Sequence, residues 1–149
     1  MISSNPPCVH QDTKILTSNG IKPIKEIISG DKVYDGQNEL VEVINNMEFI
    51  PSKEFILVKK DAFEINSPDQ DLYIRKGHPF SLHGQEINCE KLINGTTVKN
   101  IILDKRVSVY SLLTKNRTPV MMQGVPTYTW GEEDWDTVCS KRRIIHWDH

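Results

Sequence analysis

The sequence predicts an all-β fold, sandwich- or barrel-like, on three observations. Turn chemistry recurs about every ten residues, the runs between turns are β-branched and short, and convincing helical periodicity is nearly absent. The elements follow in order. Thr13-Lys14-Ile15-Leu16-Thr17 alternates as a strand with Thr13 and Thr17 on one face, and Ser18-Asn19-Gly20 turns it. Ile21 to Ile27 follows, then a Ser29-Gly30-Asp31 turn, then Lys32-Val33-Tyr34 and the tight Asp35-Gly36 signal. Leu40 to Ile44 and Phe55 to Val58 are strand-like. Ser67-Pro68-Asp69 breaks the chain before Leu72-Tyr73-Ile74, and Leu82 to Ile87 reads as a hairpin around His83-Gly84. Asn94-Gly95 precedes two further runs, Ile101-Ile102-Leu103 and Val107-Ser108-Val109-Tyr110. One candidate helix lies at the end, where Trp135, Val138 and Cys139 share a face until Arg142 interrupts it.

Composition bounds the function. At 149 residues with 38% hydrophobic and 26% charged residues, the chain fits one globular domain with a sizeable core. A formal net charge of -2 draws it towards neither nucleic acid nor anionic lipid, and the mean hydropathy is -0.44. No apolar run approaches the ~20 residues of a membrane span. The first residues lack the charged and apolar regions of a signal peptide, so an intracellular setting is expected. Cys8, Cys89 and Cys139 are odd in number and widely spaced, unlike a disulfide framework.

Several chemistries find no purchase. Cys89, Cys139, His78, His83, His146 and His149 are zinc-ligand types, but no Cys-x-x-Cys pair or tight cluster exists, so neither metal nor cofactor is expected. No phosphate-cradling Gly-Lys run occurs, and no basic stripe interleaved with aromatics. Cys8 stands apart because it follows Pro6-Pro7 just ahead of a strand. It suits a nucleophile, since even a small thiolate fraction is reactive, although a small buried apolar side chain is the commoner fate of such a residue. His78-Pro79 at a strand end likewise reads as a structural histidine or an acid–base group.

The motifs narrow these alternatives. Cys8, Thr13-Lys14-Ile15-Leu16-Thr17, Gly20, Lys22-Pro23-Ile24, Ile27 and Gly30-Asp31-Lys32-Val33 resemble the opening block of the Hint superfamily, the domains of Hedgehog C-terminal regions and inteins. Asp71 to Ile74 with His78, then Gly84, Ile87, Leu92 to Gly95 and Thr97-Val98, resemble the second block of bacterial Hint-type domains. Val109 to Leu112 and Val120 to Val125 form a weaker third match. The resemblance implies a disc-like or horseshoe Hint fold of short curved strands over residues 8 to 130. Residues 1 to 7 would be an extein-like lead-in, and 131 to 149 a Trp-rich charged tail.

The resemblance also implies chemistry on the chain itself. The Cys8 thiol would attack the Pro7 carbonyl, turning the Pro7–Cys8 amide into a thioester, while His78 donates a proton to the departing nitrogen. The substrate is then the chain's own N-terminal segment. Arg75 stands where the second block usually carries Thr or Ser, Ser111 where an Asp or His often sits, and Arg117 where a further histidine is common. Pro7, Thr13, Arg75, Ser111 and Arg117 are thus supporting or uncertain positions. No His-Asn dipeptide occurs, so cleavage without splicing is expected. The alternative is a Hint fold that has lost catalysis and serves as a structural or protein-binding module. Its tail, with Trp130, Trp135, Trp147, Glu132-Glu133-Asp134 and Lys141-Arg142-Arg143, would meet a partner, unless those tryptophans simply pin the tail to the domain.

Overall fold

A computed structural model describes residues 8–136. The lead-in and the Val138, Cys139, Trp147 and Lys141-Arg142-Arg143 portion of the tail lie outside the described residues. Among the described residues there are thirteen strands: β1 (Val9–His10), β2 (Lys14–Thr17), β3 (Gly20–Pro23), β4 (Lys32–Tyr34), β5 (Leu40–Glu42), β6 (Asn45–Val58), β7 (Leu72–Ile74), β8 (Pro79–Leu82), β9 (Gln85–Asn88), β10 (Val98–Thr114), β11 (Pro119–Met122), β12 (Val125–Tyr128) and β13 (Trp130–Gly131). Short 3-10 turns cover Ile24–Glu26 and Cys89–Leu92. The all-β expectation holds, and among the described residues, 132–136 form an α-helical turn, in the tail region where a helix is expected.

Two curled sheets share one core. The larger runs β5-β4-β2-β11-β12-β8-β9, with β3 paired to β2. Its hairpins follow from local chemistry: His83 and Gly84 adopt φ of 52° and 77°, as a two-residue type I′ turn demands. The smaller sheet runs β1-β7-β6-β10-β13, and β1 also pairs with β10, so four strands close on themselves. Strand β2 has the buried alternation that the period-two pattern predicts, with Thr13, Ile15 and Thr17 all turned inward. Val9, Val33, Ile74, Phe80, Val120 and Val125 are fully buried between the sheets. Each such side chain contributes ~1.5–3 kcal/mol on removal from water.

Two strands exceed the rhythm of turns in the sequence. β6 and β10 pair antiparallel over most of their length, with register shifts between Ile102 and Val107 and between Val107 and Val109. Pro51 falls inside β6, where a residue without an N–H cannot donate to a ladder. It falls in the second of these shifts, between Ser52 opposite Val107 and Phe49 opposite Val109, where the ladder is already interrupted and a proline is tolerated. The irregularity bends the ribbon and lets β1 and β7 bridge its outer edges.

Candidate active site

Cys8 enters the fold at the start of β1. Val9 pairs with Ile74 of β7 on one side and Tyr110 of β10 on the other. Continuing each register by one residue sets Arg75 and Ser111 on either side of Cys8. The Arg75 N–H donates to the Cys8 carbonyl at 2.9 Å, which fixes the first of these pairings. Directly opposed residues project to one face of a sheet, so Cys8, Arg75 and Ser111 share a face. Phe55 and Val109 bury Cys8 there, leaving it 2% exposed.

His78 reaches the same place through a tight reversal. Its N–H donates to the Arg75 carbonyl at 3.2 Å, closing a four-residue turn from Arg75 to His78. Gly77, third in the turn, has φ of 91°, which a type II turn requires and a side chain would oppose. Its N–H is held by Glu90 Oε1 at 2.9 Å. The ring that emerges is 1% exposed, with Nε2 at 2.8 Å from the Tyr128 carbonyl. A carbonyl only accepts, so Nε2 carries the hydrogen and Nδ1 keeps its lone pair. Nδ1 is buried and has no hydrogen-bond partner among the described residues. The Cys8 carbonyl lies near enough to the ring to favour its protonation, without bonding Nδ1 in good geometry. Burial outweighs that help and pushes the His78 pKa down to about 4, so the ring is neutral at pH 7.

Burial also pushes the Cys8 thiol up to about 12, and the nearby Arg75 charge only partly offsets it. Free thiolate is therefore scarce at neutral pH, and any reaction must remove the proton as the bond forms. Beneath the site, Cys89 is fully buried, donates its S–H to the Arg75 carbonyl at 3.3 Å, and has its N–H on the His78 carbonyl at 3.0 Å. Sequence reasoning weighed Cys89 only as a metal ligand. Its place at the end of the β8–β9 hairpin is the signal that ties it to His78. The Tyr128 carbonyl left no trace in the sequence, since every residue carries one.

Other expected positions lie apart. Thr13 is buried but lines a separate cavity of about 270 Å³ with His10, Asp71, Tyr73 and Gln123. Arg117 stands on the Nε2 side of His78: it stacks on the Tyr128 ring at 4.7 Å and grips Glu86 with both terminal nitrogens, Nη2 at 2.6 Å from Oε2. It reinforces the strand that presents the Tyr128 carbonyl. Pro7 precedes the described residues. Trp130 is 9% exposed, and Trp135 packs on it at 5.5 Å and on Phe49 at 6.5 Å, so these two tryptophans pin the start of the tail. Among the described residues, no group of three His, Cys, Asp or Glu side chains is arranged to hold a metal ion. No helix among them is long and apolar enough to cross a membrane.

Comparison with known proteins bears on this arrangement. Solved structures with the same fold include the bacterial intein-like domain from Clostridium thermocellum, at TM-score 0.63 and 19% identity, covering 85% of this chain and 100% of that one. The MchDnaB-1 intein aligns at TM-score 0.61 and 11% identity over 81% of this chain and 98% of its own. A DnaB intein from Synechocystis sp. PCC 6803 aligns at 0.58 and 9%, over 83% and 99%. A search of curated proteins gave no match. The Hint domain family matches residues 7–133, from the residue before Cys8 to the helical turn beyond β13. That span takes in both blocks and every strand from β1 to β13, and the chain belongs to the Hint domain family.

Proposed function

We propose that this Hint domain processes its own chain: an N-to-S acyl shift at Pro7–Cys8, followed by release of the N-terminal segment without splicing. The observation that carries the reading is the orphaned Nδ1 of His78, buried beside the Cys8 main chain. Leaving a buried acceptor unpaired costs ~1–3 kcal/mol, a cost that a purely structural histidine has no reason to bear. As a proton relay, the same lone pair has a task. It takes the thiol proton as Cys8 sulfur attacks the Pro7 carbonyl carbon, and the Tyr128 carbonyl stabilises the imidazolium through Nε2–H. Nδ1–H then delivers that proton to the Cys8 nitrogen as the C–N bond breaks. One S–C bond forms, one C–N bond breaks, and the thiol proton ends on the freed amine. Proximity within one residue replaces a bimolecular encounter, an advantage worth ~7–11 kcal/mol at best. Water or a thiol then takes the acyl group from sulfur and releases Met1–Pro7. Ser111 and Arg75 flank Cys8 on the neighbouring strands.

Intact mass of the purified chain with and without hydroxylamine or dithiothreitol tests this. Loss of Met1–Pro7 from the wild type, and not from Cys8→Ala, is the expected result. No release from the wild type after long incubation overturns it. The observation favouring the second reading, a silent Hint fold kept as a binding module, is the Cys8 thiol itself, raised to about 12 at 2% exposure. That reading predicts no release, and a partner that dissociates when the tail is removed.

A further inference from the structure

Four positions form one row across the closed sheet. Ile101 of β10 pairs with Phe55 of β6. The β6–β7 register, Ile56 opposite Ile74, continues to Phe55 opposite Arg75, and Arg75 is bonded through its N–H to the carbonyl of Cys8. Adjacent strands lie ~4.8 Å apart, so Ile101, Phe55, Arg75 and Cys8 succeed one another along one face. A cavity of about 250 Å³ opens along this row, lined by Ile101, Phe55 and Arg75 together with Ile102, Lys76, Asn100 and Glu54. Phe55 and Ile101 also belong to the cluster packed around Cys8. The lining thus stops at Arg75, one strand spacing short of Cys8, the residue that would carry the thioester.

Its charge is unbalanced. Arg75 and Lys76 face a single carboxylate, Glu54, and no acid lies within ion-pair distance of the Arg75 guanidinium among the described residues. Phe55 gives the lining a buried apolar side chain, and Arg75 and Lys76 against Glu54 leave it one positive charge in excess. At 250 Å³ the volume falls just below the ~300–1,000 Å³ of pockets for drug-sized ligands, so the occupant is small.

We propose that this cavity is the acceptor site of the self-processing reaction, and that it takes a small carboxylate-bearing thiol, its carboxylate on Arg75 and its sulfur directed to the Cys8 thioester. The inference rests on the acyl-shift reading and names the group that completes it. In the transfer, the acceptor sulfur bonds to the Pro7 carbonyl carbon, the bond from that carbon to the Cys8 sulfur breaks, and the acceptor's thiol proton passes to the Cys8 sulfur. The departure from the hydroxyl usual at this position then has a use: Arg75 exchanges a neutral side chain for an anion-selective one.

The test compares release of Met1–Pro7 by 3-mercaptopropionate and by neutral 2-mercaptoethanol, in the wild type and in Arg75→Gln. Dividing the two rate ratios cancels the intrinsic reactivity of each thiol. The wild-type preference for the anionic thiol is expected to fall about fivefold in Arg75→Gln, the scale of a half-exposed ion pair. Equal ratios overturn the proposal. Hydroxylamine, which needs no pocket, reports the thioester separately: if it releases nothing, the acyl-shift reading fails. The pocket is then judged by titrating Cys8→Ala with 3-mercaptopropionate and following backbone amide resonances. Saturable shifts at Arg75, Asn100 and Ile101 support the site, and their absence overturns it.

Discussion

At the scale of single residues, the site is a set of burial effects pulling against function. His78 is neutral because the fold excludes water from it, and that has a measurable consequence for stability. Its pKa falls from 6.5 to about 4 on folding, so between those values the unfolded chain binds a proton that the native state refuses. Stability is therefore full above pH 6.5 and lost as pH falls towards 4. The loss attributable to His78 is about 3 kcal/mol, at ~1.4 kcal/mol per pKa unit. Urea unfolding at a series of pH values should show a shallower decline in His78→Gln by that amount. Parallel declines in the two proteins would mean that His78 is not held neutral. Cys8, Arg75, His78 and Ser111 were legible in the sequence as a group because motif spacing preserves the positions that a ladder brings together. Thr13 was named with them because a strand face suggests a neighbourhood, yet its side chain serves another cavity.

Among the elements, the last strand carries more than its two residues suggest. β13 pairs parallel with the end of β10, Trp130 opposite Leu113 and Gly131 opposite Thr114. It therefore crosses the expected junction of domain and tail at residues 130 and 131. A Cβ on Gly131 would stand 2.6 Å from the Arg117 nitrogen, a backbone atom that cannot swing aside. Gly131→Ala should thus destabilise the domain by ~1–3 kcal/mol, the scale of an overpacked core, as read by thermal or urea unfolding. A neutral result would show that the Lys115 to Thr118 loop is free to move. Nearby, the Thr114 and Thr129 hydroxyls meet at 2.6 Å in full burial. Arg117→Ala removes a half-exposed clamp on Glu86, so its cost in unfolding free energy should stay within ~1 kcal/mol, and a loss of several kcal/mol would contradict this account. Hairpins such as β8–β9 were readable because turn chemistry is local. The length of β6 was not: the sequence marks only Phe55 to Val58 as strand-like, and the irregular stretch around Pro51 joins the strand through its pairing with β10.

At the scale of the whole molecule, the turn rhythm was enough to exclude helical and α/β architectures. It did not reveal that β1 and β7 close a ring between the outer edges of β6 and β10. Pairing of strands so distant in sequence depends on the shape of the bent ribbon, which no local window records. That closure makes the site: it places a cysteine from the start of the chain against a turn from its middle and a strand from its second half.

The most direct measurement is the rate at which hydroxylamine releases Met1–Pro7 from the wild type and from His78→Gln at neutral pH, followed by intact mass. If Nδ1 carries the thiol proton to the Cys8 nitrogen, the variant should be slower by ~10²–10⁴-fold, the usual contribution of a positioned acid–base group. Equal rates in the two proteins, or no release from the wild type, would contradict the account.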